Sequence, residues 1–388
     1  MGRALGIGAV TVFMVAVGAA QALPAGGSAA STIVVHPGQS IQAAVDAASP
    51  GSTILIRPGI YEETGRPCPS EPGVTCAVVI STDGISIIGQ PRPGRPVVLQ
   101  NAGAQDQGVA IAKSGDPACL SDTSLRVDGA LIRGLTVNGF EGIGVLLFCA
   151  DHWRVSDVSA NDNGEYGIFP SHSGPGRVDH SVATGSNDTG IYVGQSHDVR
   201  LDHDTAVGNV SGFEIENSTA VRADHNVATG NTGGILSFVL PFLDVTTNSG
   251  NRIDHNRVSG NNKPNTCEEP GDEVCNVPPG TGILLVAADA NVVDHNTVTD
   301  NDSFGIGVGN LCVLLHLTPA QCGLLGIEPN PDFDRIAFNV VVENGGSPDP
   351  SLAPLPGADL LWDTTGTGNC WQSNIAETTF PAVLPSCR

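Results

Sequence analysis

Residues 177–235 read RVDHSVATGSNDTGIYVGQSHDVRLDHDTAVGNVSGFEIENSTAVRADHNVATGNTGGI, and two motifs interleave in them. The first is glycine followed by a large apolar residue. It occurs at Gly142-Ile143, Gly167-Ile168, Gly190-Ile191, Gly212-Phe213, Gly234-Ile235, Gly282-Ile283 and Gly305-Ile306, in steps of 25, 23, 22, 22, 48 and 23 residues. The second lies 11 or 12 residues before most of these pairs and reads apolar-Asp-His-polar. Its copies include Val178-Asp179-His180-Ser181, Leu201-Asp202-His203-Asp204, Ala223-Asp224-His225-Asn226, Ile253-Asp254-His255-Asn256 and Val293-Asp294-His295-Asn296. Short alternating segments and turns rich in Asn, Gly, Ser and Thr fill the space between. No useful amphipathic helix follows residue 75 or so.

A fixed period of short strands without helices leaves few architectures. Leucine-rich repeats need their own leucine spacing, and a propeller blade needs about forty residues. A coil of 22–23 residues fits a stack of parallel strands about 4.8 Å apart. Val and Ile then fill the interior, Asn, Ser and Thr form ladders at the turns, and Gly takes tight corners. The expected fold is all-β: a single-stranded right-handed parallel β-helix with a short N-terminal capping helix.

The 48-residue step tests that reading. It is one coil carrying two insertions, roughly residues 237–250 and 263–279. A third excursion spans 311–330. Insertions on a solenoid map to loops and often wall a binding face. At the start, Ser40 is a plausible helix cap, and Ile41, Ala44, Val45 and Ala48 share one helical stripe. Pro50-Gly51 stops that helix, which is suited to hiding the solenoid's open end.

The coil region is expected over residues 33–345. Residues 346–388, with Trp362, Trp371, Cys370 and Cys387, read as a closing C-terminal segment. Met1-Gly2-Arg3 followed by the apolar run Ala4 to Ala20 and Ala20-Gln21-Ala22 has the grammar of a secretory signal peptide. Cleavage falls after about residue 22, with a later candidate near 30. No stretch is long and apolar enough for a membrane span. A secreted monomer is expected.

Ten cysteines, an even count in an exported chain, favour disulfides. The nearest-neighbour guess is Cys68–Cys76, Cys119–Cys149, Cys267–Cys275, Cys312–Cys322 and Cys370–Cys387. Zinc competes only weakly, because no C-x-x-C pair occurs. Forty acidic against seventeen basic residues give a net charge of −23, which repels nucleic acid and anionic membranes. It repels polyanionic polysaccharides too, unless a cation or an arginine cluster intervenes.

The segment PGQSIQAAVDAASPGSTILIRPGIYEE at residues 37–63, with the Gly-Ile and Asn-rich coils behind it, resembles the pectate-lyase-like superfamily of right-handed β-helix proteins. That resemblance spans about residues 33–345. It implies polysaccharide as the partner and a lyase, hydrolase or epimerase activity, with a non-catalytic surface-binding or envelope-associated protein as the alternative. In the related enzymes the outward strand face forms the substrate groove.

The Asp-His column invites a metal or proton-relay reading, but strand alternation favours scaffold. With Val178, Leu201, Ala223 and Ile253 inward, the flanking Arg and Asp point outward as facing columns. The strand after each Gly-apolar pair is the better site candidate. With Ile168, Ile191, Phe213 and Ile215 inward, Phe169, Tyr192, Glu214 and Glu216 face outward. Glu214 and Glu216 would serve as acid and base on a glycosidic bond or as Ca2+ ligands. Phe169 and Tyr192 would offer sugar rings a stacking surface. No other cofactor is expected and no resident metal is assigned.

Tyr166-Gly167-Ile168-Phe169-Pro170-Ser171-His172 is similar to the Tyr-Gly-Phe-Asp-Pro-His motif of alginate C5-epimerases, which implies proton exchange by Tyr166 and His172. The motif's Asp is absent and the histidine falls one residue late. The turn Asn161-Asp162-Asn163-Gly164-Glu165 would hold calcium beside that site, or is simply good turn chemistry.

Overall fold

A computed structural model describes residues 29–388 apart from 104, 269, 270 and 272. The expected leader, residues 1–22, lies outside the described residues. Three long sheets, of 12, 11 and 12 strands, run the length of the chain, and neighbours in each come from successive coils. All the pairings in these sheets are parallel except one short antiparallel pair, Arg66–Pro67 with Thr75–Ile80. The fold is a right-handed parallel β-helix.

Alternation along each strand builds the core. In the third sheet Ile168, Ile191, Phe213, Ile235, Ile283 and Ile306 stack inward, each at 0% exposure. Alanine dominates the facing column of the second sheet, at Ala160, Ala183, Ala206 and Ala228, leaving room for those larger side chains.

Each position of the Asp-His motif has a structural task. The first residue packs inward. The Asp is buried under an arginine of the preceding coil: Arg200 donates to Asp224 at 2.8 and 2.8 Å, and Arg222 to Asp254 at 3.0 and 2.9 Å. The histidine bends the chain in the left-handed region, with φ of 53–59°, where His is tolerated better than most residues. Its Nδ1 meets the preceding Asp, and the five imidazoles stack at 5.0–5.1 Å. The polar residue then turns inward, so that Asn226 Oδ1 accepts from the Asp204 backbone N–H and Asn226 Nδ2 donates to the Leu201 carbonyl.

Asp204 stands in that ladder between Ser181 and the run of amides Asn226, Asn256 and Asn296. It is 0% exposed and its Oδ2 has no partner among the described residues. Burial pushes its carboxyl well above the usual range, with Asp202 and Asp179 adding repulsion. Because the folded pKa is raised, stability is fully present below about pH 4 and is lost as pH rises toward the folded pKa. Asp204→Asn should therefore stabilise the protein by about 1–3 kcal/mol at pH 8 and by almost nothing at pH 3.5. Urea melts at the two pH values check this, and an equal effect at both contradicts it.

The N-terminal helix forms as expected, over Ile41–Asp46, with Ser40 accepting from the Ala43 N–H. Glu63 adds a second cap, accepting from the Ile41 N–H and the Ser40 hydroxyl, both at 2.6 Å. Gln42 accepts from the Val79 N–H and donates to the Val79 carbonyl, so its amide blunts the edge of the third sheet.

The five cysteine pairs join as guessed from nearest neighbours, and no described cysteine is free. Such a set fits an oxidising compartment. No helix among the described residues is long and apolar enough to cross a membrane.

One boundary is corrected. The coils do not stop at residue 345, because Ala358–Trp362, Cys370–Gln372 and Ile375–Ala376 each pair in parallel with the preceding coil. This last turn lacks both motifs yet keeps the geometry. Asp359 takes the ladder place of an asparagine, and Trp371 takes that of an inward aliphatic residue, stacking on Ile336.

Candidate functional site

The third sheet carries the strands Tyr166–Ser171, Thr189–Gly194, Ser211–Glu216, Gly233–Phe238 and Thr281–Val286 side by side. Their register places Tyr192, Glu214, Leu236 and Leu284 in one column. Gly194, Glu216, Phe238 and Val286 form the column two residues along. Both columns point away from the core, as alternation requires.

That face is covered, contrary to the open groove expected. Glu214 is 5% exposed and Glu216 8%. The three insertions fold over it and wall a cavity of about 460 Å³ that stays partly open. Leu240 comes from the first, Val274 and Val277 from the second, and Leu311, Leu314 and Leu315 from the third. The insertions thus wall this strand face, as their positions in the sequence suggest.

Among the described residues the charged groups lining this cavity are all acidic: Glu141, Glu165, Asp188, Glu214 and Glu216, with Glu268 and Glu273 from the second insertion. Burial strips water from Glu216 and raises its carboxyl to about 7. The Tyr192 hydroxyl, bonded to that carboxylate, opposes the rise, while the charges of Asp188 and Glu273 add to it. Glu214 is raised well above the usual range, again chiefly by burial and then by Asp188. Asp188 itself accepts hydrogen bonds from the Tyr166 hydroxyl and from Thr189 Oγ1, the latter at 2.9 Å. Two acids whose pKa values burial raises, beside Asp188 with its two hydroxyl donors, form a set able to donate and accept protons.

The aromatic residues are placed differently from expectation. Phe169 and Tyr192 stack on each other with ring centroids 4.3 Å apart and planes at 5°, and Tyr166 tilts against both. Tyr192 is only 5% exposed. Their faces are spent on one another, so Phe169 and Tyr192 do not line the cavity, and only Tyr166 of the three reaches it.

His172 does not join them. It sits in the turn beyond the strand with φ 53°, 5% exposed, against the Phe148 ring. Its Nδ1 meets Ser171 Oγ at 2.8 Å and its Nε2 meets Asp244 at 3.2 Å, and burial lowers its pKa. Tyr166 opens the strand and His172 follows its end. The extra residue before the histidine carries it off the strand face into a left-handed corner, so the pair implied by the epimerase motif is not assembled. The neighbouring turn at 161–165 is largely occupied by the scaffold. Asn163 is fully buried, with Oδ1 accepting from the Phe140 N–H, and Asn161 accepts from Thr184. Among the described residues the compact carboxylate cluster is elsewhere, at Asp289, Glu328 and Asp332.

Sequence reading missed Asp188, Glu141, Glu268 and Glu273, and named Glu165 only as part of a candidate calcium turn. A signal existed for two of them. Glu165 and Asp188 each stand two residues before a Gly-Ile pair, so stacking sets them in one column on the site side. The two glutamates of the insertion gave no such sign.

Fold and ladder geometry together define a right-handed parallel β-helix protein. The family described as "Right handed beta helix region" matches residues 99–239. No curated protein sequence matches the chain. Among solved structures, the A-module of the Azotobacter vinelandii mannuronan C-5 epimerase AlgE4 superposes with a TM-score of 0.62 at 17% identity, over 86% of this chain and 90% of that one. A tailspike protein of E. coli bacteriophage HK620 in complex with a pentasaccharide gives 0.56 at 12% identity, over 87% and 59%. The periplasmic alginate epimerase AlgG gives 0.50 at 15%, over 88% and 83%. At these identities the likeness is one of fold.

Proposed function

We propose that this chain is a secreted glycoside hydrolase acting on uncharged sugars. The observation that carries the reading is the cavity walled by the insertions, whose charged lining groups among the described residues are all acidic and in which burial raises the Glu216 and Glu214 carboxyls beside Asp188. Glu216 donates its proton to the glycosidic oxygen as the bond breaks. Asp188, oriented by the Tyr166 hydroxyl, takes a proton from water, whose oxygen joins the anomeric carbon. Proton gain by the leaving oxygen balances proton loss from water.

A uronate-directed lyase or epimerase fits less well. Those reactions must neutralise a substrate carboxylate, and among the described residues no cationic side chain lines this cavity. The solved structures that bind or modify polysaccharide on the same scaffold support a carbohydrate partner in general terms.

The test is a panel of neutral oligosaccharides and glycosides beside uronate polymers, with and without calcium, in 18O-labelled water. Hydrolysis with label at the new reducing end supports the reading. An unsaturated sugar product, inverted uronate, or binding without bond cleavage overturns it. In an active preparation Asp188→Asn should lower kcat about 100-fold or more while leaving substrate affinity within a few-fold.

A further inference from the structure

The cavity changes character along the solenoid axis, and the change is abrupt. In one outward column Tyr192 and Glu214 are followed by Leu236 and Leu284, and in the next Glu216 is followed by Phe238 and Val286. One coil step, about 4.8 Å, therefore separates the protonated acid from a hydrocarbon surface. The third insertion closes over that half with Leu314 from its short helix and Leu315 at the helix C-cap. Phe238, Leu240, Leu314 and Leu315 are only partly buried, so hydrocarbon remains uncovered inside the same cavity that holds the carboxylates.

From this we infer that the substrate is an amphiphile: an uncharged sugar bearing a hydrocarbon chain as its aglycone. The sugar lies over Tyr166, Asp188 and Glu214, and the chain lies over Leu236, Phe238 and Leu284 beneath Leu315. Glu216 stands at the junction, where the bond between sugar and aglycone oxygen must sit for that acid to protonate the leaving group. A second sugar in the leaving position would set its hydroxyls against leucine and phenylalanine without hydrogen-bond partners, which is costly. An anionic chain such as an alkyl sulfate is repelled by the acidic ring.

This inference deepens the glycosidase reading and rests on it only for where the scissile bond lies. The experiment measures binding, so the two fail separately. Titration calorimetry with Glu216→Gln protein compares n-octyl and methyl glycosides of glucose, galactose, mannose and N-acetylglucosamine, with octyl sulfate as control, all below micelle formation. At least one octyl glycoside should bind ~10-fold or more tightly than its methyl partner. That preference should fall to within about threefold in Leu315→Ser, a change in the covering insertion, and in Leu236→Ser, each checked for native circular dichroism. Equal affinity of octyl and methyl compounds overturns the inference. So does absence of octyl binding, a preference untouched by both substitutions, or octyl sulfate binding as well as the best glycoside. An octyl preference in a protein that cleaves nothing keeps this inference and removes the glycosidase. Cleavage with no octyl preference does the reverse.

Discussion

Glu216→Gln should lower turnover by about 100- to 1,000-fold on any glycoside the wild-type protein cleaves, with little change in KM. Glutamine keeps the shape and a donor N–H, but it has no proton to surrender to a leaving oxygen. The pH dependence carries the diagnostic sign. Glu216 acts protonated and its carboxyl titrates near 7, so the wild-type rate should decline as pH rises through about 7. Tyr192→Phe sharpens the point. The Tyr192 hydroxyl favours the charged form of Glu216, so deleting it should move the alkaline limb to higher pH. A purely structural tyrosine would lower the rate without moving that limb. Stability should run the other way. With a folded pKa raised above the unfolded value, Glu216 contributes stability below about pH 4.3 that is lost as pH rises to about 7. Glu216→Gln should therefore raise stability at pH 8 by up to ~3 kcal/mol, which separates lost chemistry from lost folding in a single variant. Loss of activity together with loss of stability would count against the assignment.

The scaffold was legible because stacking repeats its chemistry. A residue whose role recurs on every coil leaves a periodic mark: the inward Ile of Gly190-Ile191, the bending His of Asp202-His203, the inward Asn of His225-Asn226. Even the excursions were visible, as departures from that period. The site was only partly legible because it repeats nothing. Glu214 and Glu216 were found by alternation, but their burial depends on insertions folding back from residues 240, 274–278 and 311–315, which no local pattern encodes. Phe169 and Tyr192 have the right direction for sugar stacking, yet their one-coil offset makes them stack on each other. The last coil lacks the periodic mark because Asp359 and Trp371 serve where Asn and an aliphatic residue, most often Ile, usually do. The geometry accepts such substitutes, and a motif search does not.

Asn231→Ala should be among the most damaging single changes in the solenoid, at about 3–6 kcal/mol. Asn231 is fully buried at a corner of the second ladder. Its Oδ1 accepts from both the backbone N–H and the Nδ2 of Asn209, each at 3.0 Å. Its Nδ2 donates to the Ala206 carbonyl at 3.0 Å and to Asn261 Oδ1 at 2.9 Å. Truncation strands two donors and a carbonyl together where water has little access, and each costs about 1–3 kcal/mol. The glycine facing this corner shows how closely it is filled. A Cβ on Gly212 would lie 2.6 Å from the Gly234 carbonyl oxygen and 3.0 Å from Asn231 Nδ2, so Gly212→Ala should be comparably harmful by crowding rather than by vacancy. Asn231→Asp separates the polar account from a packing one. It keeps the volume, and when protonated it still offers one donor and one acceptor. Its penalty should be small at pH 4 and grow steadily with pH, as for Asp204. Because coils contact mainly their neighbours, a broken rung also weakens the cooperativity that couples the two halves. Hydrogen exchange on Asn231→Ala should then show coils around residues 205–260 opening well before either end. Uniform protection along the solenoid would mean that the ladder is decoration, and that the apolar column behind it carries the fold alone.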